Sequence, residues 1–176
     1  MLEPLLVALP NHDLAFGSAD VGHPSFRHYL QVQNDPRVLQ RLLNWPQLVP
    51  AASFDDWIAN PDRHVGNVLF DGAGQFWLID HGLALAQGLD PTAAVNNQLL
   101  DLARQGRDEL ALQRLKRDLI GLAETYRNED AKAAGERVPL LHSVELVDFL
   151  TVRLTHLTGF VRKRLHPRQQ DIDYGG

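Results

Sequence analysis

Three oxygen-bearing side chains surround an apolar segment of the chain at spacings that suit a metal-assisted reaction. The segment reads NPDRHVGNVLFDGAGQFWLIDHG over residues 60–82. Asp62 and Asn67 stand before its apolar middle, and Asp80 stands at its far end. A carboxylate and an amide oxygen can bind one small hard cation, and Mg²⁺ takes such oxygen ligands at about 2.0–2.1 Å. The spacing predicts an acid on a loop beside two metal-binding oxygens.

A β-hairpin is the element that must bring these side chains together. The apolar runs VLF and QFWLI flank the sequence DGAG, whose glycines can supply the positive φ angles of a tight turn. With the turn in the middle of DGAG, Asn67 faces Leu78 or Ile79 across the ladder. Asp80 then lies about 7–8 Å from Asn67, the diagonal distance across an antiparallel pair. Both arms are continuously apolar, so we expect both faces of the hairpin to be covered.

Such a set of side chains meets the needs of phosphoryl transfer, in which a loop acid orients the attacking hydroxyl and an Asn and a second Asp hold the metal. Arg63 and His64 are the candidate cofactor-binding residues. Arg63 could meet a phosphate or be simply solvated, and His64 is expected to order the loop by a hydrogen bond. Two alternatives stand beside this interpretation: ordinary turn chemistry, and a metal-dependent phosphoesterase in which His64 and His81 join Asp62 and Asp80. For His81 we favour a packing role.

The same segment resembles the catalytic and metal-binding segments of HipA-like kinases, relatives of the protein-kinase-like superfamily. The resemblance rests on NPDRHVGNVLF and LIDHG, with LAFGS and FDDWIAN upstream, and covers about residues 14–90. Similar D-x-x-x-x-N and I-D-x-G patterns occur in phosphatidylinositol kinases and aminoglycoside phosphotransferases. The resemblance implies an ATP-dependent kinase with Asp62 as the catalytic base and Asn67 and Asp80 as Mg²⁺ ligands. The acceptor would be a hydroxyl group of a protein or a small molecule.

One part of the kinase pattern is not found in the sequence. Kinases place a lysine and a Gly-rich loop upstream, against the nucleotide phosphates. No lysine precedes Asp62, because all three lysines follow it: Lys116, Lys132 and Lys163. We therefore expect a missing or vestigial N-lobe, with residues 1–22 as its remnant, 23–170 as a kinase-like C-lobe and 171–176 as a flexible tail. A second polypeptide that supplies the N-lobe is the implied partner, and a catalytically incomplete binding or regulatory module is the alternative function.

Elsewhere the hydrophobic pattern is mostly helical. LLVAL near the N-terminus reads as a strand, and NDPRVLQRLLNWP reads as a helix that stops at Pro46. Ser53 and Asp56 form a capping pattern for a short helix over residues 54–59, with the acids of FDDW near its start. Two leucine stripes follow, the second over about residues 143–166. The predicted fold class is α+β and mainly α: a protein-kinase-like C-lobe with a central β-hairpin and a helical C-terminal half.

The composition limits the function classes. The chain has 176 residues and a formal net charge of −5, which argues against a protein that neutralises a nucleic-acid backbone. The basic run RKR at residues 162–164 is expected to complement a helix dipole. With no cysteine there is no disulfide framework and no thiolate ligand. No apolar run approaches the ~20 residues of a membrane span, so a cytoplasmic location is expected.

Overall fold

The chain has a mainly helical α+β fold, which confirms the predicted α+β and mainly α composition. A computed structural model describes residues 4–8, 14–18, 22–81, 83–84, 89–136 and 140–166, with side chains described in 22–81, 83–84, 89–136 and 143–166. The described part contains two separate antiparallel hairpins and seven α-helices. No helix in these ranges is long and apolar enough to span a bilayer.

The elements follow one another with two strands first, then three helices, the second hairpin and four more helices. Their bounds are β1 Pro4–Ala8, β2 Leu14–Ser18, α1 Phe26–Gln31, α2 Arg37–Leu43, α3 Leu48–Trp57, a 3₁₀ turn Val65–Asn67, β3 Val68–Phe70, β4 Phe76–Leu78, α4 Gln98–Arg104, α5 Glu109–Ala123, α6 Asn128–Gly135 and α7 Leu140–Arg164. The predicted strand at LLVAL is confirmed as β1, which pairs with β2. The predicted helix before Pro46 is confirmed as α2.

The prediction of a short helix capped by Ser53 is wrong. Helix α3 begins at Leu48 and ends at Trp57, so Ser53 lies in its interior and is buried. The sequence misleads here because Pro50 looks like a helix breaker. A proline in the first turn of a helix lacks only an N–H that has no helical partner there, so Pro50 fits the start of α3. The acids Asp55 and Asp56 consequently lie near the end of the helix instead of its start.

The second hairpin forms as predicted. Strands β3 and β4 pair Val68 with Leu78 and Phe70 with Phe76, and the next residues continue the ladder. Gly72 has a φ of 82°, whereas Gly74 does not adopt a positive φ. The Asp71 carboxylate completes the turn, since its Oδ1 accepts hydrogen bonds from the backbone amides of residues 73, 74 and 75 at 2.7–3.0 Å. These amide donors, led by that of Gly74, lower the pKa of Asp71.

Both faces of this hairpin are covered. On one face Phe70 and Phe76 stack at 4.5 Å between ring centroids and lie in the main core. On the other face Trp77 stacks on His23 at 4.9 Å. The edge of β3 is covered by the chain before α1, where Ser25 forms an isolated bridge with Leu69. The hairpin is thus held against α1 and its preceding loop.

Helix α3 is the element on which the others converge. It packs against α4, α5 and α7. The larger core cluster joins the hairpin to α1–α5 and the C-terminal end of α7, and a smaller cluster joins Trp57 to the rest of α7 and to α6. The two predicted leucine stripes supply buried residues of α5 and α7: Leu115, Leu119, Leu150, Leu157 and Val161. The predicted tail at 171–176 lies outside the described residues.

Candidate functional site

The predicted catalytic loop begins directly after α3 and is anchored by a buried amide. Asn60 is 0% exposed, and its Nδ2 donates to Asp55 Oδ1 at 3.2 Å. Its Oδ1 accepts the backbone N–H of Asp62 at 3.2 Å. Just before it, Ala59 has a left-handed backbone with φ 52°, which turns the chain sharply out of the helix. The position of Asp62 is therefore fixed by the end of α3.

Asn67 is bonded directly to this loop. Its Nδ2 donates to the backbone carbonyl of Asp62 at 3.1 Å, which joins two of the three predicted site residues. The side chain is only 5% exposed. Because Nδ2 is committed to Asp62, Oδ1 is the atom of the amide that remains for an external ligand, and none of the described residues donates to it. Asp62 itself is half-buried, and the contact with Asn67 is through its backbone carbonyl.

Asp80 lies one residue beyond the end of the hairpin ladder. The backbone N–H of Ile79 donates to the carbonyl of Asn67 at 3.0 Å, so these two residues are opposite each other as the sequence predicts. Asp80 itself is exposed and has a φ of 55°. A left-handed backbone is uncommon for a residue with a side chain, and such conformations cluster at functional sites. This turn directs the chain away from the strand immediately after the predicted ligand.

Arg63 lies in the interior. Its side chain and that of Asp55 are both 0% exposed, with Arg63 Nε 2.9 Å from Asp55 Oδ2. Its remaining donors contact Asp55 and the carbonyls of Asn67 and Ile79. The predicted contact between Arg63 and a phosphate finds no support in this geometry, because the guanidinium is enclosed and its donors are used inside the protein.

The two histidines of the segment order it locally. As predicted, His64 forms a loop-ordering hydrogen bond: its Nδ1 accepts the backbone N–H of Gly66 at 3.0 Å. A Cβ at Gly66 would meet the His64 ring at 2.9 Å, so the close approach requires glycine. His81 packs edge-on against Phe54, with 6.4 Å between the ring centroids. Burial lowers the pKa of His81 and the Arg63 cation acts in the same direction, against the opposing effect of Asp55 and Asp80.

Asp55 and Asp56, which were predicted to lie at a helix start, form ion pairs that support the residues around the candidate site. Asp55 pairs with Arg63, and the neighbouring Asp56 pairs with Arg164 of α7 at 2.6 Å. The first partner stands eight positions along the chain and could have been suspected from the sequence. The second stands 108 positions away, where no local pattern points to it.

Two of the predicted site residues carry the types of oxygen donor that a hard cation takes. Asn67 offers an amide oxygen and Asp80 an exposed carboxylate, while Mg²⁺ takes one or two protein oxygens and fills its other positions with water and phosphate. In the described part of the chain, no group of three or more His, Asp and Glu side chains is arranged to hold a metal. A site of one amide and one carboxylate would not form such a group.

Comparisons with known proteins give no further assignment: no family model, no curated protein and no solved structure matches the chain. The residues themselves therefore carry the functional argument.

Proposed function

We propose that this chain is a kinase-like C-lobe that transfers a phosphoryl group from ATP to a hydroxyl, as its resemblance to HipA-like kinases implies. The observation that carries the proposal is the hydrogen bond from Asn67 Nδ2 to the Asp62 carbonyl. It ties the candidate base to the candidate metal ligand and leaves the amide oxygen available. The ladder bond between Ile79 and Asn67 brings Asp80 to the same end of the hairpin.

Each residue has a defined part in the reaction. Asp62 accepts the proton of the attacking hydroxyl as its oxygen bonds to the γ-phosphorus, and the bond from that phosphorus to the β–γ bridging oxygen breaks to release ADP. Asn67 and Asp80 would hold Mg²⁺, and a bound Mg²⁺ would neutralise phosphate charge. Positioning and charge stabilisation supply most of the rate in such a reaction, so a rigid hairpin support is suitable.

The phosphates need a further cation, because no lysine precedes Asp62 and Arg63 is enclosed. Arg27 of α1 is a basic side chain beside the loop: it is exposed, and its guanidinium carbon is 3.3 Å from the position of a Cβ at Gly66. It or a second polypeptide that supplies an N-lobe would complete the nucleotide site.

The proposal is tested by calorimetry with ATP in the presence and absence of Mg²⁺, together with ATP hydrolysis with water as the acceptor. Asp80→Ala should abolish the Mg²⁺-dependent part of ATP binding. Asp62→Asn should keep that binding and lower hydrolysis at least about 100-fold, the usual contribution of a general base. Asp118→Ala, which removes an exposed carboxylate on α5, is the matched control and should change neither property.

A second candidate function is a non-catalytic binding or regulatory module that has kept the fold. One observation favours it: the enclosure of Arg63, the basic residue next to the candidate base. Absence of Mg²⁺-dependent ATP binding by the wild-type chain, both alone and with lysate fractions added, would overturn the kinase proposal and favour this module. Binding without hydrolysis in the wild type would favour a nucleotide-sensing form of the module.

A further inference from the structure

One guanidinium joins the end of α3 to both arms of the site hairpin. At one end of the Arg63 side chain, Nε donates to Asp55 Oδ2 at 2.9 Å and Nη2 donates to Asp55 Oδ1 at 3.1 Å. This two-point contact fixes the plane of the guanidinium, which a lysine ammonium cannot do.

The remaining nitrogen contacts the hairpin at its open end. Nη1 donates to the carbonyl of Ile79 at 2.6 Å and to that of Asn67 at 3.3 Å. These two residues face each other, and the N–H of Ile79 also donates to the carbonyl of Asn67. Arg63 therefore contacts one arm at a predicted metal ligand and the other arm one residue before Asp80.

We propose that the Asp55–Arg63 pair is a positioning device that sets the separation of the Asn67 and Asp80 side chains. This inference rests on the proposed function, in which those two side chains hold Mg²⁺. Burying an ion pair removes two charges from water, and apolar residues of similar volume often give equal or greater stability. A buried pair at this junction is therefore better explained by the geometry it imposes than by the stability it adds.

The adjacent acid supplies a matched control. Asp56 pairs with Arg164 at 2.6 Å, its side chain is 3% exposed, and Arg164 also donates to a backbone carbonyl, that of Val95. The chemistry is the same and the acid stands on the same helix. This second pair contacts α7 and the loop before α4, and neither partner bonds to the site hairpin.

The experiment compares Arg63→Lys with Arg164→Lys in three measurements: urea unfolding, amide hydrogen exchange at Ile79 without ligand, and calorimetry of ADP binding with and without Mg²⁺. Both variants should lose stability. Only Arg63→Lys should speed exchange at Ile79 beyond its change in global unfolding, and only it should weaken Mg²⁺ affinity by about 10- to 100-fold, as expected for an outer-shell support of a metal ligand. ADP binding without Mg²⁺ should stay the same in both.

If a lysine variant does not fold, Asp55→Asn and Asp56→Asn form a second matched comparison. Each of these variants keeps the side-chain shape and one acceptor oxygen. Equal Ile79 exchange or equal Mg²⁺ affinity in a matched pair would overturn the inference. If the wild-type chain binds no Mg²⁺ with ADP, the proposed function and the metal part of this inference both fail. Exchange at Ile79 still decides whether Arg63 holds the two arms together.

Discussion

At the scale of single residues, Asp80 is exposed and has a left-handed backbone conformation. A residue with a Cβ prefers other conformations, so a φ of 55° costs free energy that glycine would not. The side chain makes no hydrogen bond to the described residues that would offset this cost. In the proposed function, the carboxylate binds Mg²⁺ from this conformation, so Asp80 would contribute to binding and cost backbone free energy at the same time.

Asp80→Gly separates these two contributions. We expect the free energy of unfolding to rise by up to about 1 kcal/mol through relief of backbone strain, while Mg²⁺-dependent ATP binding is lost. Asn34→Gly is the control, because Asn34 is exposed, has a φ of 48° and lies in the loop before α2. It should give a similar gain in urea unfolding with unchanged binding. A loss of stability above about 1 kcal/mol in Asp80→Gly would contradict the strain argument.

The residues of the predicted site were easier to identify than those that support them. Asp62, Asn67 and Asp80 stand out because polar side chains border an apolar run. Asp55 does not, since an acid near an amphipathic helix gives the same sequence pattern whether it is solvated or buried. Its burial depends on Arg63 reaching into the interior, and a sequence pattern carries no such information.

At the scale of elements, the site hairpin depends on its turn. The Asp71 carboxylate accepts three backbone amides, and these bonds, with that of Gly74 foremost, lower its pKa below the ordinary value of 3.8. The unfolded chain therefore binds more protons than the folded chain at acidic pH. The stabilisation is present above pH 3.8 and is lost as the pH falls through the folded pKa.

Asp71→Ala should accordingly lower the free energy of unfolding by about 1 kcal/mol at pH 7, the usual value of lost hydrogen bonds of this kind. The difference between the wild type and this variant should narrow as the pH falls below 3.8, measured by urea unfolding across pH. Asp71→Asn keeps an acceptor oxygen without the charge, so its pH dependence should resemble that of Asp71→Ala with a smaller loss at pH 7. A difference that is constant with pH would contradict the charge-based explanation.

The hairpin and its register could be predicted because they depend on local information. The sequence DGAG sets the turn, and the position of the turn fixes which residue faces which across the ladder. Helix α3 was misplaced because its start is decided by tertiary packing: Leu48 is buried in the main core, and Pro50 is tolerated in the first turn. The burial of α3 has a greater effect on where the helix starts than the capping pattern at Ser53.

At the scale of the whole molecule, Arg153 of α7 connects distant parts of the chain. It is fully buried, and its Nε donates to the carbonyl of Asp56 at 2.9 Å while Nη1 donates to that of Ala93 at 2.8 Å. Its guanidinium also lies 5.0 Å from the ring centroid of Phe160. Burial lowers the pKa of Arg153 to about 10, partly offset by Asp56, so the side chain stays charged at neutral pH.

Arg153→Met should reduce the free energy of unfolding by about 2–5 kcal/mol, because it leaves the buried carbonyls of Asp56 and Trp57 at the end of α3 without their donor and releases the loop before α4. Arg162→Met on the same helix is the control, since Arg162 is exposed and its replacement should change stability by less than about 0.5 kcal/mol. Urea unfolding followed by circular dichroism measures both. Equal midpoints for the two variants would show that Arg153 is dispensable.

The helical C-terminal half could be predicted in outline from its leucine stripes, which identify α5 and α7. Its attachment to α3 could not, because Arg153 and Arg164 contribute to it alongside the apolar packing around Trp57. Arg153 and Arg164 both fall within a mostly apolar or basic helical pattern. Nothing in their local sequence distinguishes them from the exposed Arg162.

The pairing of Asp56 with Arg164 has a consequence for the order of events on the ribosome. The two residues are 108 positions apart, an interval of roughly 5–20 seconds at ordinary rates of translation. Asp55 meets its partner after eight residues, whereas Asp56 has no counter-ion until the final helix emerges. The nascent chain can therefore form the contacts of the candidate catalytic loop early, whereas the end of α3 that carries Asp56 can be buried only after the last long helix has been made.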